Sequence, residues 1–141
     1  MDETILHLER LIKSTDQAAY DAFTDPAHLS RWFITSARAE LVIGGRYSNA
    51  DGDQGVFLML DLPRLIEFTW ENAKHCPNTV VTVAFAPTAD DQVTMTLDHS
   101  HLNSQADYDD MMGGWSWALD SLRSYLETGK PISHDAWLKA R

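Results

Sequence analysis

The sequence predicts an α+β fold in which a curved antiparallel sheet of about six or seven strands wraps around one long C-terminal helix. In the middle of the chain apolar and polar residues alternate, as in 93–99 (VTMTLDH), which is typical of an antiparallel sheet with one solvated face. Residues 105–127 instead carry apolar residues at helical spacing. The order of strand, two short helices, strands and long helix is that of an α+β domain.

The first part of the chain predicts one strand and two short helices. Residues 3–13 form the strand, in which Leu6, Leu8 and Ile12 share a face. Residues 14–16 (STD) offer N-cap oxygens for the first short helix. Pro26 stands at the first position of the second short helix, where its missing N–H costs nothing.

The remaining strands are separated by turn signals. Gly44-Gly45 and residues 51–52 (DG) mark turns or hairpins, and residues 61–64 (DLPR) turn the chain again. The strands predicted between and after these turns span residues 38–43, 46–49, 54–60, 65–70, 79–86 and 93–99.

The long helix contains two adjacent glycines, Gly113 and Gly114. Each costs about 1 kcal/mol relative to alanine inside a helix, which suggests a kink, a close backbone approach or a mobile lid. Alternatively, the helix begins near Gly114 after a loop. The predicted inward stripe consists of Tyr108, Met111, Met112, Trp115, Leu119, Leu122 and Leu126.

Composition limits the function classes. The 141 residues, of which 44% are hydrophobic, predict a single domain over residues 1–141. The net charge of −10 argues against nucleic acid and anionic membranes as partners. One cysteine, Cys76, no secretory signal and no apolar stretch of membrane-spanning length predict a cytoplasmic protein.

Several segments together resemble the START-like superfamily, also called SRPBCC, and within it the group of activator of heat shock protein 90 ATPase homologues (the Aha-type C-terminal domain). The resembling residues are Phe23-Thr24-Asp25-Pro26 with Leu29 and Trp32, Gly44-Gly45-Arg46-Tyr47, the segment from Gly55 through Pro63-Arg64-Leu65-Ile66 to Thr69-Trp70, residues 94–100 (TMTLDHS), and Gly114-Trp115 with Leu119 and Leu122.

The resemblance implies a helix-grip, Bet v-like fold with a pocket between the sheet and the long helix. It does not imply that this chain stimulates a chaperone ATPase, because the co-chaperones that do so carry an additional N-terminal domain. Some members of the group carry a carboxylate where Met59 aligns here, so the resemblance implies a more apolar pocket in this chain.

The predicted ligand is a small hydrophobic or amphipathic molecule, because aromatic and methionine side chains line such pockets. The same residues also fit ordinary core packing. We expect no cofactor, since the sequence has neither a P-loop nor a G-x-G-x-x-G segment. The predicted lining residues are Trp32, Phe33, Met59, Trp70, Met95, His99, Met111, Trp115 and Leu119.

His99 is the one candidate for chemistry, because it shares a strand face with Val93, Met95 and Leu97. It could serve as a polar ligand contact, as the acid or base of a cyclase-like or hydrolase-like enzyme, or as a buried neutral histidine with structural hydrogen bonds. The non-enzymatic interpretation is favoured. His99 and His101 have no third ligand at a recognisable spacing, so we expect no metal.

Trp117 lies nearly opposite Trp115 around the helix and leaves the core stripe. Two explanations remain for it. The tail from Ile132 to Arg141, which contains Trp137, covers it, or it forms a homodimer or other protein contact. A protein-interaction module is therefore the third function considered, and tail packing is the preferred explanation for Trp117.

Overall fold

The computed structural model describes residues 4–25, 38–49, 52–72, 75–102 and 104–140. Within these ranges one sheet of seven antiparallel strands, in the order β1-β7-β6-β5-β4-β3-β2, curves around a long helix. The strands are β1 (Thr4–Ile12), β2 (Arg38–Ala39), β3 (Arg46–Ser48), β4 (Asp53–Asp61), β5 (Leu65–Asn72), β6 (His75–Ala89) and β7 (Gln92–Leu102), and the helices are α1 (Asp16–Thr24), α2 (Gln105–Thr128) and α3 (His134–Lys139).

Alternation along the central strands gives the sheet an inner and an outer face. Along β7, Val93, Met95 and Leu97 are fully buried and alternate with partly exposed threonines. Ile66 in β5 pairs with Val83 in β6, and both side chains are fully buried. The inner face therefore forms the main hydrophobic core, as the period of two predicts.

Helix α1 covers one end of this core. The Thr15 side chain accepts a hydrogen bond from the N–H of Ala18 and so caps the helix. Tyr20 and Phe23 are buried, and the Tyr20 ring meets Phe85 edge-on at 5.8 Å. The predicted first short helix is thus confirmed, whereas the second, expected from Pro26 onward, lies outside the described residues.

The strand predicted over residues 38–43 is wrong beyond Ala39. Val42 donates its N–H to the carbonyl of Glu40, and Gly45 donates to that of Val42, so the chain turns tightly here. Gly44 has φ +85°, a conformation that glycine adopts without strain. Residues 41–43 therefore form an exposed apolar loop instead of a strand.

Helix α2 passes through both glycines, so the alternative start near Gly114 is wrong. It begins at the Ser104 N-cap, whose hydroxyl accepts the N–H of Asp107, and ends at Gly129 in the left-handed conformation. Met111 and Trp115 belong to its buried stripe. The helix packs against β1 and β7 and contacts α1. Among the described residues, no helix combines the length and the apolar character that crossing a bilayer requires.

Candidate functional site

Six of the nine predicted lining residues lie together between the sheet and α2. Each is at most 8% exposed, and all six belong to one hydrophobic cluster. The strands contribute their inner-face positions and the helix contributes its buried stripe. The six residues are Trp70 in β5, Met95 and His99 in β7, and Met111, Trp115 and Leu119 in α2.

Two tryptophans join the sheet to the helix at this site. The rings of Trp70 and Trp115 meet edge-on with centroids 5.0 Å apart. Tyr47 extends the aromatic cluster toward β3, with its ring 5.4 Å from that of Phe68 and 6.3 Å from that of Trp70. Edge-to-face contacts of this kind add to the free energy of burial and hold the rings in fixed orientations.

His99 is fully buried, and both of its ring nitrogens are hydrogen-bonded. The indole N–H of Trp115 donates to Nδ1 at 3.0 Å, and Nε2 lies 2.8 Å from the hydroxyl of Thr79. An indole can only donate, so Nδ1 must be unprotonated and Nε2 carries the proton. Thr79 in turn donates to the carbonyl of Trp70 at 2.5 Å.

This chain of hydrogen bonds determines what His99 can do. The imidazole is neutral, and its orientation is set by Trp115 on the helix and Thr79 on the sheet. A general acid or base needs a ring nitrogen within reach of a reacting proton. Both nitrogens of His99 are engaged with protein groups, so the geometry favours a structural link between sheet and helix over an acid–base role.

Met59 lies on the opposite face of the sheet from the expected position. Phe57 pairs with Phe68 on the inner face, but the register then shifts, so Met59 pairs with Glu67 on the outer face. A bulge of one residue reverses the side-chain alternation beyond it. Met59 is accordingly 42% exposed, and its predicted place in the lining is wrong. Trp32 and Phe33 lie outside the described residues.

His99 and His101 also fail to share a face. His101 has φ +65° and is exposed, while the pairing between β1 and β7 shifts between Thr4 and Leu6. This irregularity breaks the alternation on which a shared face depends. Within the described ranges, no group of three or more His, Cys, Asp or Glu side chains is arranged to hold a metal ion.

A cleft of about 610 Å³ that the sequence analysis did not predict lies on the outer face of β2–β5; we call it the outer cleft. The sequence carried one signal for it, because Gly55 lies opposite Tyr47. A Cβ at Gly55 would lie 1.9 Å from the carbonyl oxygen of Thr69, so only glycine lets β4 and β5 approach this closely. The cleft is lined by Ala39, Glu40, Arg46, Tyr47, Ser48, Gln54, Gly55, Val56, Thr69 and Glu71.

Side chains bridge the ladder between β4 and β5 at the floor of the outer cleft. The Tyr47 hydroxyl donates to the carbonyl of Thr69, and the N–H of Val56 donates to the Thr69 hydroxyl at 2.8 Å. Burial, with the charges of Asp53 and Glu71, raises the pKa of Tyr47 far above its ordinary value. Tyr47 therefore remains a neutral donor.

The C-terminal tail covers Trp117. The indole N–H of Trp117 donates to the carbonyl of Ile132 at 2.7 Å. The indole of Trp137 donates to one oxygen of Asp120 at 2.9 Å, and Arg10 of β1 donates to the other oxygen at 2.9 Å. Asp120 thus joins β1, α2 and α3, and tail packing is the explanation of Trp117 that the geometry supports.

The electrostatics of this junction favour the charged carboxylate. Burial alone would raise the pKa of Asp120. Hydrogen bonds from Trp137 and Arg10, together with the charges of Arg10 and Arg123, outweigh burial and lower the pKa below the ordinary value of 3.8.

The family described as Activator of Hsp90 ATPase homolog 1-like protein matches residues 14–127. No curated protein sequence matches this chain.

Similar solved structures show the same fold. CalU16 from Micromonospora echinospora has a TM-score of 0.80 at 22% identity, over 90% of this chain and 78% of that chain. PFC0360w from Plasmodium falciparum, described as an HSP90 activator, has a TM-score of 0.79 at 22% identity, over 90% and 97%. The Aha1 dimer from Colwellia psychrerythraea has a TM-score of 0.80 at 19% identity, over 90% and 98%.

Proposed function

The chain belongs to the family of activator of Hsp90 ATPase homolog 1-like proteins, within the START-like superfamily, and from that premise we propose that it binds a small hydrophobic or amphipathic molecule between the inner face of the sheet and helix α2. It acts as a cytoplasmic binding protein without a catalytic step. Trp70, Met95, Met111, Trp115 and Leu119 contact the ligand through apolar surface. His99 and the undescribed residues Trp32 and Phe33 complete the proposed site.

The observation that carries this proposal is a polar chain inside an otherwise apolar interior. Small-molecule sites combine aromatic and aliphatic walls with a few fixed polar groups. Here the walls are aromatic and methionine side chains, and the polar chain runs through His99 and Thr79 to the carbonyl of Trp70. A buried polar chain that is fixed at both ends can orient a ligand without rearranging.

The flexibility of methionine also supports the proposal. Met95 lies on the sheet side and Met111 on the helix side of the same interior. Their unbranched side chains can rotate to make room for ligands of irregular shape. Each buried CH₂ of such a ligand contributes about 0.8 kcal/mol before the cost of association is subtracted.

The enzyme alternative is weaker. It would have to free one nitrogen of His99, and either choice breaks the hydrogen bond to Trp115 or the one to Thr79. The partner alternative rests on the HSP90 activator and the Aha1 dimer among the similar structures. In this chain such a contact, including a homodimer, would not use Trp117, because the tail already occupies its indole.

Methionine methyl NMR tests the proposal, because one spectrum contains both the site and its control. The protein is labelled at the methionine methyl groups and titrated with dodecanoate and with 1-anilinonaphthalene-8-sulfonate. We expect the signals of Met95 and Met111 to move while that of Met59, on the outer face, stays in place. Native against denaturing mass spectrometry of protein from its own host then identifies the natural ligand.

Two results would contradict the proposal. One is the absence of any shift at Met95 and Met111 up to about millimolar probe, the range of very weak binding. The other is an equal shift at Met59, which would indicate nonspecific adsorption. Phe replacement of Met111 should abolish the shifts by filling the interior, whereas the same change at Met59 should leave them intact.

A further inference from the structure

The outer cleft lies on the face of the sheet that points away from the core. Arg46 pairs with Val56 and Ser48 pairs with Gln54, and these side chains alternate with Tyr47, which faces inward. Gln54 in turn pairs with Glu71. The cleft is therefore separated by the thickness of the sheet from the interior discussed above.

The charged groups of the cleft are available to a partner. Glu40 and Arg46 meet where their strands diverge, with the N–H of Glu40 donated to the carbonyl of Arg46. In the described part of the chain, no hydrogen bond or ion pair occupies the side chains of Glu40, Arg46 or Glu71. Two carboxylates against one guanidinium, in a chain of net charge −10, make the cleft attractive to a cation.

An exposed apolar surface adjoins the cleft. Val42 and Ile43 are 60% and 63% exposed, and the loop that carries them is tied to β4 because Gly44 donates to the carbonyl of Phe57 at 2.7 Å. The bulge after Phe57 turns Leu58 and Met59 outward beside this loop, where they are 40% and 42% exposed. Contiguous exposed apolar side chains rimmed by charge mark interaction surfaces.

We propose that this surface, made of the outer cleft and the apolar residues Leu41–Ile43, Leu58 and Met59, binds a basic amphipathic segment of another protein. The aliphatic side chains of that segment cover the apolar loop, and a lysine or arginine enters the cleft between Glu40 and Glu71. The volume of about 610 Å³ is ample for such a side chain.

Charge complementarity selects this occupant over a second copy of the chain. A second copy would bring another net charge of −10 to a cleft that is already negative. A basic segment instead gains long-range attraction and neutralises Glu40 and Glu71. The sheet edge next to the cleft is short, since β2 has two residues, so side-chain contacts rather than added strand pairing would determine affinity.

The test uses the full chain and two designed peptides. A short peptide that alternates leucine and lysine is titrated into ¹⁵N-labelled protein, followed by a twin with glutamate at every lysine. We expect amide shifts confined to residues 40–46, 54–59 and 71 with the lysine peptide, and none with the glutamate twin. Increasing salt should weaken the binding, because exposed charges are screened.

Matched variants separate this surface from general stickiness. Ile43→Ser and Glu71→Lys should each weaken binding by about tenfold, a change typical of losing one interface contact. Leu11→Ser and Glu9→Lys, equally exposed positions on β1, should leave it unchanged. All four positions are exposed or at the surface, so thermal midpoints within experimental error of the wild-type value confirm intact folding.

Three outcomes would overturn the inference. The first is that the lysine peptide shifts no amides, or shifts amides outside these ranges. The second is that the glutamate twin binds equally well. The third is a concentration-dependent dimer that Ile43→Ser abolishes, because the surface would then belong to a second copy of the chain. None of these outcomes bears on the interior site, which lies on the other face of the sheet.

Discussion

The hydrogen bond from the Trp115 indole to His99 can be measured by a double-mutant cycle. His99→Leu removes the acceptor while keeping a side chain of similar size, so the indole N–H loses its observed acceptor in the core. We expect a loss of about 1–3 kcal/mol from the free energy of unfolding, the usual cost of an unsatisfied buried polar group. Trp115→Phe removes the donor and should cost a similar amount, including the smaller ring.

The two changes should be less than additive. Once the donor is gone, losing the acceptor leaves nothing unsatisfied at that bond, so the double variant should recover about 1 kcal/mol relative to the sum. Urea unfolding followed by far-ultraviolet circular dichroism measures all four proteins without relying on tryptophan fluorescence. With a slope of about 1–3 kcal/mol per molar urea, the recovery is a midpoint difference of roughly 0.3–1 M.

The control cycle replaces Trp115 by Trp117, whose indole bonds to the tail on the far side of α2. His99→Leu and Trp117→Phe should be additive within about 0.5 kcal/mol. Additivity of the Trp115 cycle within the same margin would refute the assigned bond. So would a ¹⁵N NMR spectrum of the imidazole that finds the proton on Nδ1, because an indole cannot donate to a protonated nitrogen.

Three further predictions concern single positions. Gly113→Ala should stabilise the protein by about 0.5–1 kcal/mol, because its Cβ meets no described atom within 4 Å, whereas Gly55→Ala should lower the thermal midpoint, because its Cβ would lie 1.9 Å from a backbone oxygen. The pKa of Asp120 is lower when folded, so its stabilisation is present above the ordinary value of 3.8 and lost as pH falls below it; Asp120→Asn should flatten the urea midpoint between about pH 5 and about pH 2. Met111→Ala should cost about 2–5 kcal/mol in urea unfolding and Met59→Ala less than about 1 kcal/mol, and equal costs would contradict the bulge.

The sequence predicted the elements whose periodicity is long and uninterrupted. β7 and α2 were predicted from clean periods of two and 3.6, and both form with the expected residues inward. The inward position of His99 followed from its parity with Met95 and Leu97. These predictions succeed because the side chains of a regular strand or helix repeat in direction at a fixed interval.

The errors arise where one residue interrupts a period. The bulge after Phe57 moves Met59 outward, and the positive φ of His101 separates it from His99. Neither irregularity involves a glycine or proline, so the local sequence gives no signal for it. The outer cleft was missed for a related reason. It depends on the meeting of Tyr47, Gly55 and Thr69 from three strands, a contact that only tertiary structure creates.

The bulge in β4 also makes the two proposed sites independent. Without it, Met59 would continue the inner face of Phe57 and the apolar loop at Val42 would have no neighbour of its own kind. With it, one strand gives Phe57 to the core and Leu58 and Met59 to the outer surface. A small ligand inside and a protein segment outside would therefore contact different side chains of the same strand. If binding at one face alters affinity at the other, β4 is the element through which that coupling must pass, and the Met59 methyl signal would report it.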